Sequence, residues 1–147
     1  MDDIVKYPDK FLHRPTEEVW LPLNEDHKNL IKNMIKVMYE NNGIGLAANQ
    51  IGFSDKIFVM DVSNEKNKPQ VFINPKIMKE AKEKLTYAEG CLSCPGKLVN
   101  VRRSIYVGLE WICEHGKKQY KTFYHLPARV VQHEMDHLNG KLCIDYA

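Results

Sequence analysis

Between Asn24 and Gly43 the apolar residues recur at helical intervals. Ile31, Met34, Ile35 and Met38 stand at i, i+3, i+4 and i+7, the spacing of one face of an amphipathic helix. Asn24 is the candidate N-cap, and Glu25 and Asp26 fall in the first turn, where the helix dipole favours acids. Gly43 is the expected stop, because glycine accepts the left-handed backbone that follows many helices. The next eight positions, Gly43-Ile44-Gly45-Leu46-Ala47-Ala48-Asn49-Gln50, hold too many small residues to be assigned to helix or strand. From Lys56 to Arg103 the pattern shortens to apolar runs, Ile57 to Val62, Gln70 to Ile73 and Val99 to Arg103. They are punctuated by Pro69, Pro75 and Pro95-Gly96 and predict strands. Ser104 to Cys113 and Lys117 to Phe123 read as a hairpin turning at Glu114-His115-Gly116. A second helix is expected from near Pro127 through His137, with Gly140 ending it, and Lys141-Leu142-Cys143-Ile144 reads as a short strand entering the core. The sum is an α+β fold: antiparallel strands packed around a C-terminal helix, plus an N-terminal helix. Without a repeat or a low-complexity linker, residues 1–147 read as one domain.

Composition changes this picture little. The chain has 147 residues, 44% hydrophobic and 27% charged, with a formal charge of +2. Lysines and acids alternate as on a solvated surface, and so small an excess argues against direct nucleic-acid binding or a membrane partner. No apolar stretch approaches a membrane span, and Met1-Asp2-Asp3 places acids where a secretion leader needs basic residues. A cytoplasmic, reducing location is therefore expected. There Cys91, Cys94, Cys113 and Cys143 are free thiols or ligands rather than disulfides. Cys91 and Cys94 form a Cys-x-x-Cys, but no second such pair exists to complete a four-cysteine zinc site.

The strongest chemical signal is His133-Glu134-Met135-Asp136-His137. Residues four apart on a helix lie one turn above each other, so two imidazoles there can share one metal ion, with Glu134 beside them to exchange protons. The plainer reading is a polar helix that happens to carry two histidines. Val130, Val131 and Leu138 argue against it, since they call for burial, and buried histidines need partners. A catalytic ion of this kind has three protein ligands and an open position. Two cysteines compete for the third place: Cys143, which follows Gly140 after the helix, and Cys91, set among turn-forming residues in Glu89-Gly90-Cys91-Leu92-Ser93. Spacing alone leaves the choice open. It also leaves open two rival functions, a zinc endopeptidase using Cys143 and a non-catalytic zinc-binding module closed by Cys91 and Cys94 together.

Three blocks, Gly43 to Gln50, Glu89 to Ser93 and Gln132 to Leu138, resemble the peptide deformylase family in order and separation; Tyr7-Pro8-Asp9 resembles its N-terminal segment. The resemblance implies removal of the N-formyl group from the N-terminal methionine of new polypeptides, with release of formate. It makes Cys91, His133 and His137 the metal ligands and Glu134 the proton carrier. The Gln50 side chain and the Leu92 backbone N–H become donors to the oxygen that gains charge. Gly45, Ile44 and Val130 become the substrate-binding positions, with Gly45 leaving room for the peptide. The implied cofactor is one Fe2+ per chain, replaceable by Zn2+, Ni2+ or Co2+. The implied partners are N-formylmethionyl peptides and nascent chains, with transient ribosome contact, in the cytoplasm of a bacterium or of the host of a virus. The chain stops at Asp145-Tyr146-Ala147, where many bacterial relatives continue into a basic tail, so tail-borne docking is not expected. Taken alone, Gln50 reads as a turn-capping amide, Arg129 as a solvated helix residue and Cys94 as a small filler. Glu89 is expected to pair with Arg103 and brace the Cys91 segment.

Overall fold

The computed structural model describes residues 4–147; Met1-Asp2-Asp3, read above against a leader, lies outside the described residues. Helix α1 spans Glu25–Glu40. The Asn24 side chain accepts from the His27 backbone N–H at 2.9 Å, and His27 Nδ1 accepts from the Asn24 N–H at 3.1 Å. The capping box is thus closed by a histidine where glutamate or glutamine is usual. At the other end the left-handed residue is Asn42, with φ 57°, not Gly43. The Asn42 and Gly43 N–H groups donate back to Tyr39 O and Met38 O, which satisfies the last carbonyls. Gly43 is instead closely approached: a Cβ there would lie 2.9 Å from Leu92 Cδ1, a side-chain tip that would have to shift.

Seven strands follow: β1 (Gly45–Ala47), β2 (Ile57–Met60), β3 (Gln70–Glu80), β4 (Lys84–Cys91), β5 (Cys94–Ser104), β6 (Tyr106–Ile112) and β7 (Lys118–Tyr124). Five of them form an antiparallel sheet in the order β1-β2-β3-β6-β7, while β4 and β5 pair only with each other. Strand β2 is buried throughout, and the period of two divides its side chains between the sheet's faces. Ile57 and Val59 join Leu46, Val71, Met34 and Met38 under α1. Phe58 and Met60 join Phe72, Leu109, Phe123 and Met135 under α2 (His125–Leu138). The sheet is therefore the middle layer, with one helix on each side.

The departures from the sequence reading have local causes. Strand β3 runs through Pro75 because the register shifts between Ile73 and Lys76, and a bulge tolerates proline. Asn74, at φ 50°, uses that irregularity to hold Val19 by both backbone groups. Strand β4 was not foreseen: it is exposed from Lys84 to Ala88, and Leu85 and Tyr87 are its only large apolar residues. Strand β5 begins at Cys94 rather than Val99 and contains Pro95-Gly96. Helix α2 begins two residues before Pro127, and His125 takes a positive φ of 57° as the chain turns out of β7. The segment after α2 is not a strand. Cys143–Tyr146 forms a 3-10 turn instead, whose Asp145 side chain accepts from the Leu142 N–H.

Gly140, just past α2, has φ 80°, and a Cβ on it would stand 2.5 Å from His13 O. Both the conformation and the contact require glycine. Gly140→Ala is expected to cost about 1–3 kcal/mol, as strained left-handed positions do. Urea denaturation would read this as a lower midpoint, and an unchanged midpoint would show that the His13 turn yields freely.

A candidate metal centre between helix and hairpin

A cavity of about 750 Å3 opens where the β4–β5 hairpin lies against α2. Helix α2 presents Val130, His133 and Glu134 to it, while Gln50 and the Gly43-Ile44-Gly45 segment supply another wall. Strand β4 brings Glu89 and Cys91, and Leu92 follows in the turn. All nine residues singled out by the sequence are thus gathered here: His137, the one of them not on the cavity wall, lies fully buried against His133 and Cys91.

Cys91 Sγ is 3.3 Å from His137 Nε2, which is 3.1 Å from His133 Nε2. All three ligand atoms lie within 4.8 Å of one another, and neither Cys94 nor Cys143 belongs to that group. Nitrogen and sulfur ligands on one tetrahedral ion sit about 3.3–3.6 Å apart, close to these separations. His133 Nδ1 is 3.0 Å from Glu89 Oε1, so its N–H can be spent on the carboxylate and its Nε2 lone pair left facing the other two atoms. Burial holds His137 well below its ordinary pKa and hence neutral, as a ligand must be. Two imidazole nitrogens and one sulfur converge on a single point, an arrangement that a cation satisfies once it displaces the protons the three groups share. The residues fit a metal ion, and the set that forms is Cys91 with the two histidines. Neither the endopeptidase reading, which needed Cys143, nor the closed module, which needed Cys94, matches it.

Complete burial pushes Glu134 up to about 7. Its Oε1 has no hydrogen-bond partner in the protein. A carboxyl that titrates near neutrality beside an open cavity is suited to take and return a proton. Its approach depends on Gly45: a Cβ there would lie 2.5 Å from Glu134 Oε2 and 2.9 Å from Val130 Cγ1. Gln50 is both a turn cap and a donor toward the site. Its Oε1 accepts from the Ala47 N–H at 2.9 Å, which leaves Nε2 to donate to Ser93 Oγ at 3.1 Å and toward Cys91 Sγ at 3.6 Å.

The hairpin is fastened to α2 by charge. Arg103 donates to Glu89 twice, at 2.6 and 2.9 Å, and to Asp136 at 2.9 Å. Burial would raise Glu89, but hydrogen bonds from His133 and Arg103 more than reverse this and hold it at about 2. Arg129 is not the solvated residue expected. It donates to Glu89 Oε2 at 2.8 Å and to the carbonyls of Leu85 and Val101. Its place four residues before His133 was the available signal, since i and i+4 share a face. Asp136 and Tyr146 were missed as well. The Tyr146 hydroxyl donates to Asp136 at 2.7 Å, and its ring lies 5.3 Å from the Arg103 guanidinium. Cys143 is outside the metal group, buried in the 3-10 turn that follows α2 and packs on β5 and β4.

Comparison with known proteins gives a consistent result. The family model described as polypeptide deformylase matches residues 1–147. The chain is 45% identical over 146 residues to a peptide deformylase of Aquifex aeolicus, covering 97% of this chain and 85% of that one. It is similar to the crystal structure of a probable peptide deformylase from the Synechococcus phage S-SSM7, with TM-score 0.94, 34% identity and full coverage of both chains. It is similar also to a peptide deformylase of Synechococcus elongatus solved in complex with actinonin. There the TM-score is 0.93 and the identity 38%, over 97% of this chain and 78% of that one.

Two outcomes follow from the geometry. Cys91→Ala is expected to abolish stoichiometric metal binding, while Cys94→Ala and Cys143→Ala retain it; metal analysis of the purified variants decides, and metal lost with Cys94 would restore the closed four-ligand site. The second concerns acid stability. Glu89 falls from 4.5 to about 2 on folding, so its contribution is complete above 4.5 and disappears as the pH drops toward about 2. Arg103→Met, which strips a buried pair of one partner, is expected to cost about 3–5 kcal/mol near neutral pH. That deficit should shrink across this acid window in denaturation experiments. A deficit independent of pH would mean that Arg103 matters through packing alone.

Proposed function

We propose that this chain, which belongs to the polypeptide deformylase family, removes the N-formyl group from the N-terminal methionine of newly made polypeptides and releases formate. The observation that carries this reading is the Cys91, His133 and His137 group beside a buried carboxyl, Glu134, at the wall of an open cavity. A divalent ion held by these three residues supplies Lewis acidity, which acidifies water and polarises a carbonyl. The donor set suits borderline ions, and we take Fe2+ as the working metal, with Zn2+, Ni2+ or Co2+ as substitutes.

The protein's own groups do the rest. Glu134 as carboxylate takes a proton from the attacking water and returns it to the departing amine, a shuttle worth roughly 10²–10⁴-fold. The formyl oxygen gains charge during attack, and the Gln50 amide and the Leu92 backbone N–H donate to it. Gln50 cannot swing away easily, because its carbonyl end is tied to the Ala47 N–H. The methionine side chain lies against Ile44 and Val130, and Gly45 keeps the passage beside Glu134 narrow but open. Seating this side chain orients the reacting carbon, and extra bulk at the carbonyl would displace it at large cost in rate. The substrates are then N-formylmethionyl peptides and nascent chains, met in the cytoplasm through transient contact with the ribosome. Among the described residues no helix is long and apolar enough to cross a membrane.

A metal-loaded sample is expected to release formate from a short formyl-Met peptide, to act far more slowly on the acetyl-Met analogue, and to leave an unblocked peptide intact. Glu134→Ala should keep the metal and lose roughly 10²-fold or more of the turnover. Formate detection with mass spectrometry of the peptides tests both. Internal cleavage without formate would return the endopeptidase reading, and near-native turnover by Glu134→Ala would give the proton to another group.

A further inference from the structure

Gln50 serves the site in only one orientation, and two hydrogen bonds outside the metal group decide it. The side chain is buried, and its amide carries two hydrogens on one nitrogen. The Ala47 N–H on Oε1 at 2.9 Å settles which end is the oxygen. Nε2 then donates one hydrogen to Ser93 Oγ at 3.1 Å and directs the other toward Cys91 Sγ at 3.6 Å, on the metal group. Sulfur is a weak acceptor, so this second hydrogen is available to a better one. Ser93 is fully buried and belongs neither to the metal group nor to the cavity wall.

We propose that Ser93 is a positioning residue for the reaction, taking one hydrogen of the Gln50 amide so that the other is aimed at the oxygen that gains charge. Without the hydroxyl, the first hydrogen would be buried and unpaired, which is costly. The amide would turn about its last side-chain bond to find another acceptor. That torsion is soft in glutamine, so the turn meets little resistance of its own. The second hydrogen would then leave its line to the reacting group. The inference rests on the deformylation reading, in which Gln50 stabilises that oxygen. Ser93 touches no reacting atom and acts only through Gln50.

The backbone keeps Ser93 where the amide needs it. Gln50 and Ser93 are 43 residues apart, one in the 3-10 turn Ala48–Ile51 and the other in the turn between β4 and β5. The N-terminal segment bridges them. The Val5 N–H donates to Gln50 O at 2.7 Å, and the Tyr7 N–H donates to Ser93 O at 2.8 Å. Ile4 is buried in the core under α1, while Val5 packs against Leu12, Cys94 and Leu142. A segment anchored in two clusters thus holds both carbonyls in register. The Ser93 backbone is fixed independently of its side chain, so removing the hydroxyl frees the amide without releasing the turn.

The test is a double-mutant cycle on metal-loaded, full-length protein with a short formyl-Met peptide, using Ser93→Ala, Gln50→Ala and the double variant. Gln50→Ala is expected to lose roughly 10²-fold in kcat, as the loss of an oxyanion donor does. Ser93→Ala should lose about tenfold in kcat with KM and metal content nearly unchanged, because the oxygen is charged only in the transition state. In the Gln50→Ala background the same substitution should change kcat by less than about twofold, since the two residues act as one unit. Nitrogen-15 NMR gives a readout apart from turnover. The Gln50 side-chain signals, identified by their absence in Gln50→Ala, should move in Ser93→Ala. Should Ser93→Ala fail to fold, Ser93→Cys, close in shape but a weak acceptor, takes its place with a loss in the same direction. Additive losses in the cycle, a Ser93 effect confined to KM, or unmoved Gln50 signals would overturn the proposal. No formate from the unsubstituted protein would strike the deformylation reading and this one together; formate with additive losses would strike this one alone.

Discussion

The buried charge clamp between the β4–β5 hairpin and α2 is the interaction on which the site depends. The hairpin shares no strand pairing with the five-stranded sheet, yet it carries Cys91, while both histidines belong to α2. Something must fix one against the other to a fraction of an ångström. Arg103 does so by holding Glu89 on its own hairpin and Asp136 on the helix at once, and Arg129 reaches back from the helix to Glu89. Two guanidiniums face two carboxylates, so the group is neutral as a whole, and buried charge is tolerable only when it is so balanced and hydrogen-bonded. Glu89 belongs to both the clamp and the site, since its other oxygen orients His133. The assembly of the hairpin and the aim of a ligand are thus one event.

Much of this was legible in the sequence where the governing contact is local. The histidine pair follows from helical spacing, and the α1 cap from a short polar side chain ahead of two acids. The choice between Cys91 and Cys143 could not be made that way, because it is decided by how the hairpin docks over forty residues away along the chain from the histidines. Strand β4 was invisible for a related reason: it pairs only with β5, and its two large apolar residues, Leu85 and Tyr87, face the cavity rather than a core. Pro75 misled in the opposite direction, since the bulge that absorbs it is a property of the β3–β6 pairing rather than of β3.

The small-residue segment from Gly43 to Gln50 resisted assignment because tertiary contacts, rather than propensity, set its composition. Gly43 admits Leu92, and Gly45 admits Glu134 and Val130, from two different elements. The chain passes from a three-residue strand directly into a 3-10 turn, and Gln50 is spent in capping that turn while its other end faces the site. Both glycines here answer to a bulky neighbour elsewhere in the fold.

The Tyr146 ring has one further consequence. With the ring over its guanidinium, Arg103 is left 4% exposed, and its charge acts across protein rather than across water. Dissolved ions weaken an attraction only by gathering in the solvent around it, over roughly 10 Å at moderate ionic strength. Pairs in the open, such as Lys118 with Glu110, will fade as salt is added. The pairing of Arg103 with Glu89 will not, and the geometry it maintains should be as firm in brine as in dilute buffer.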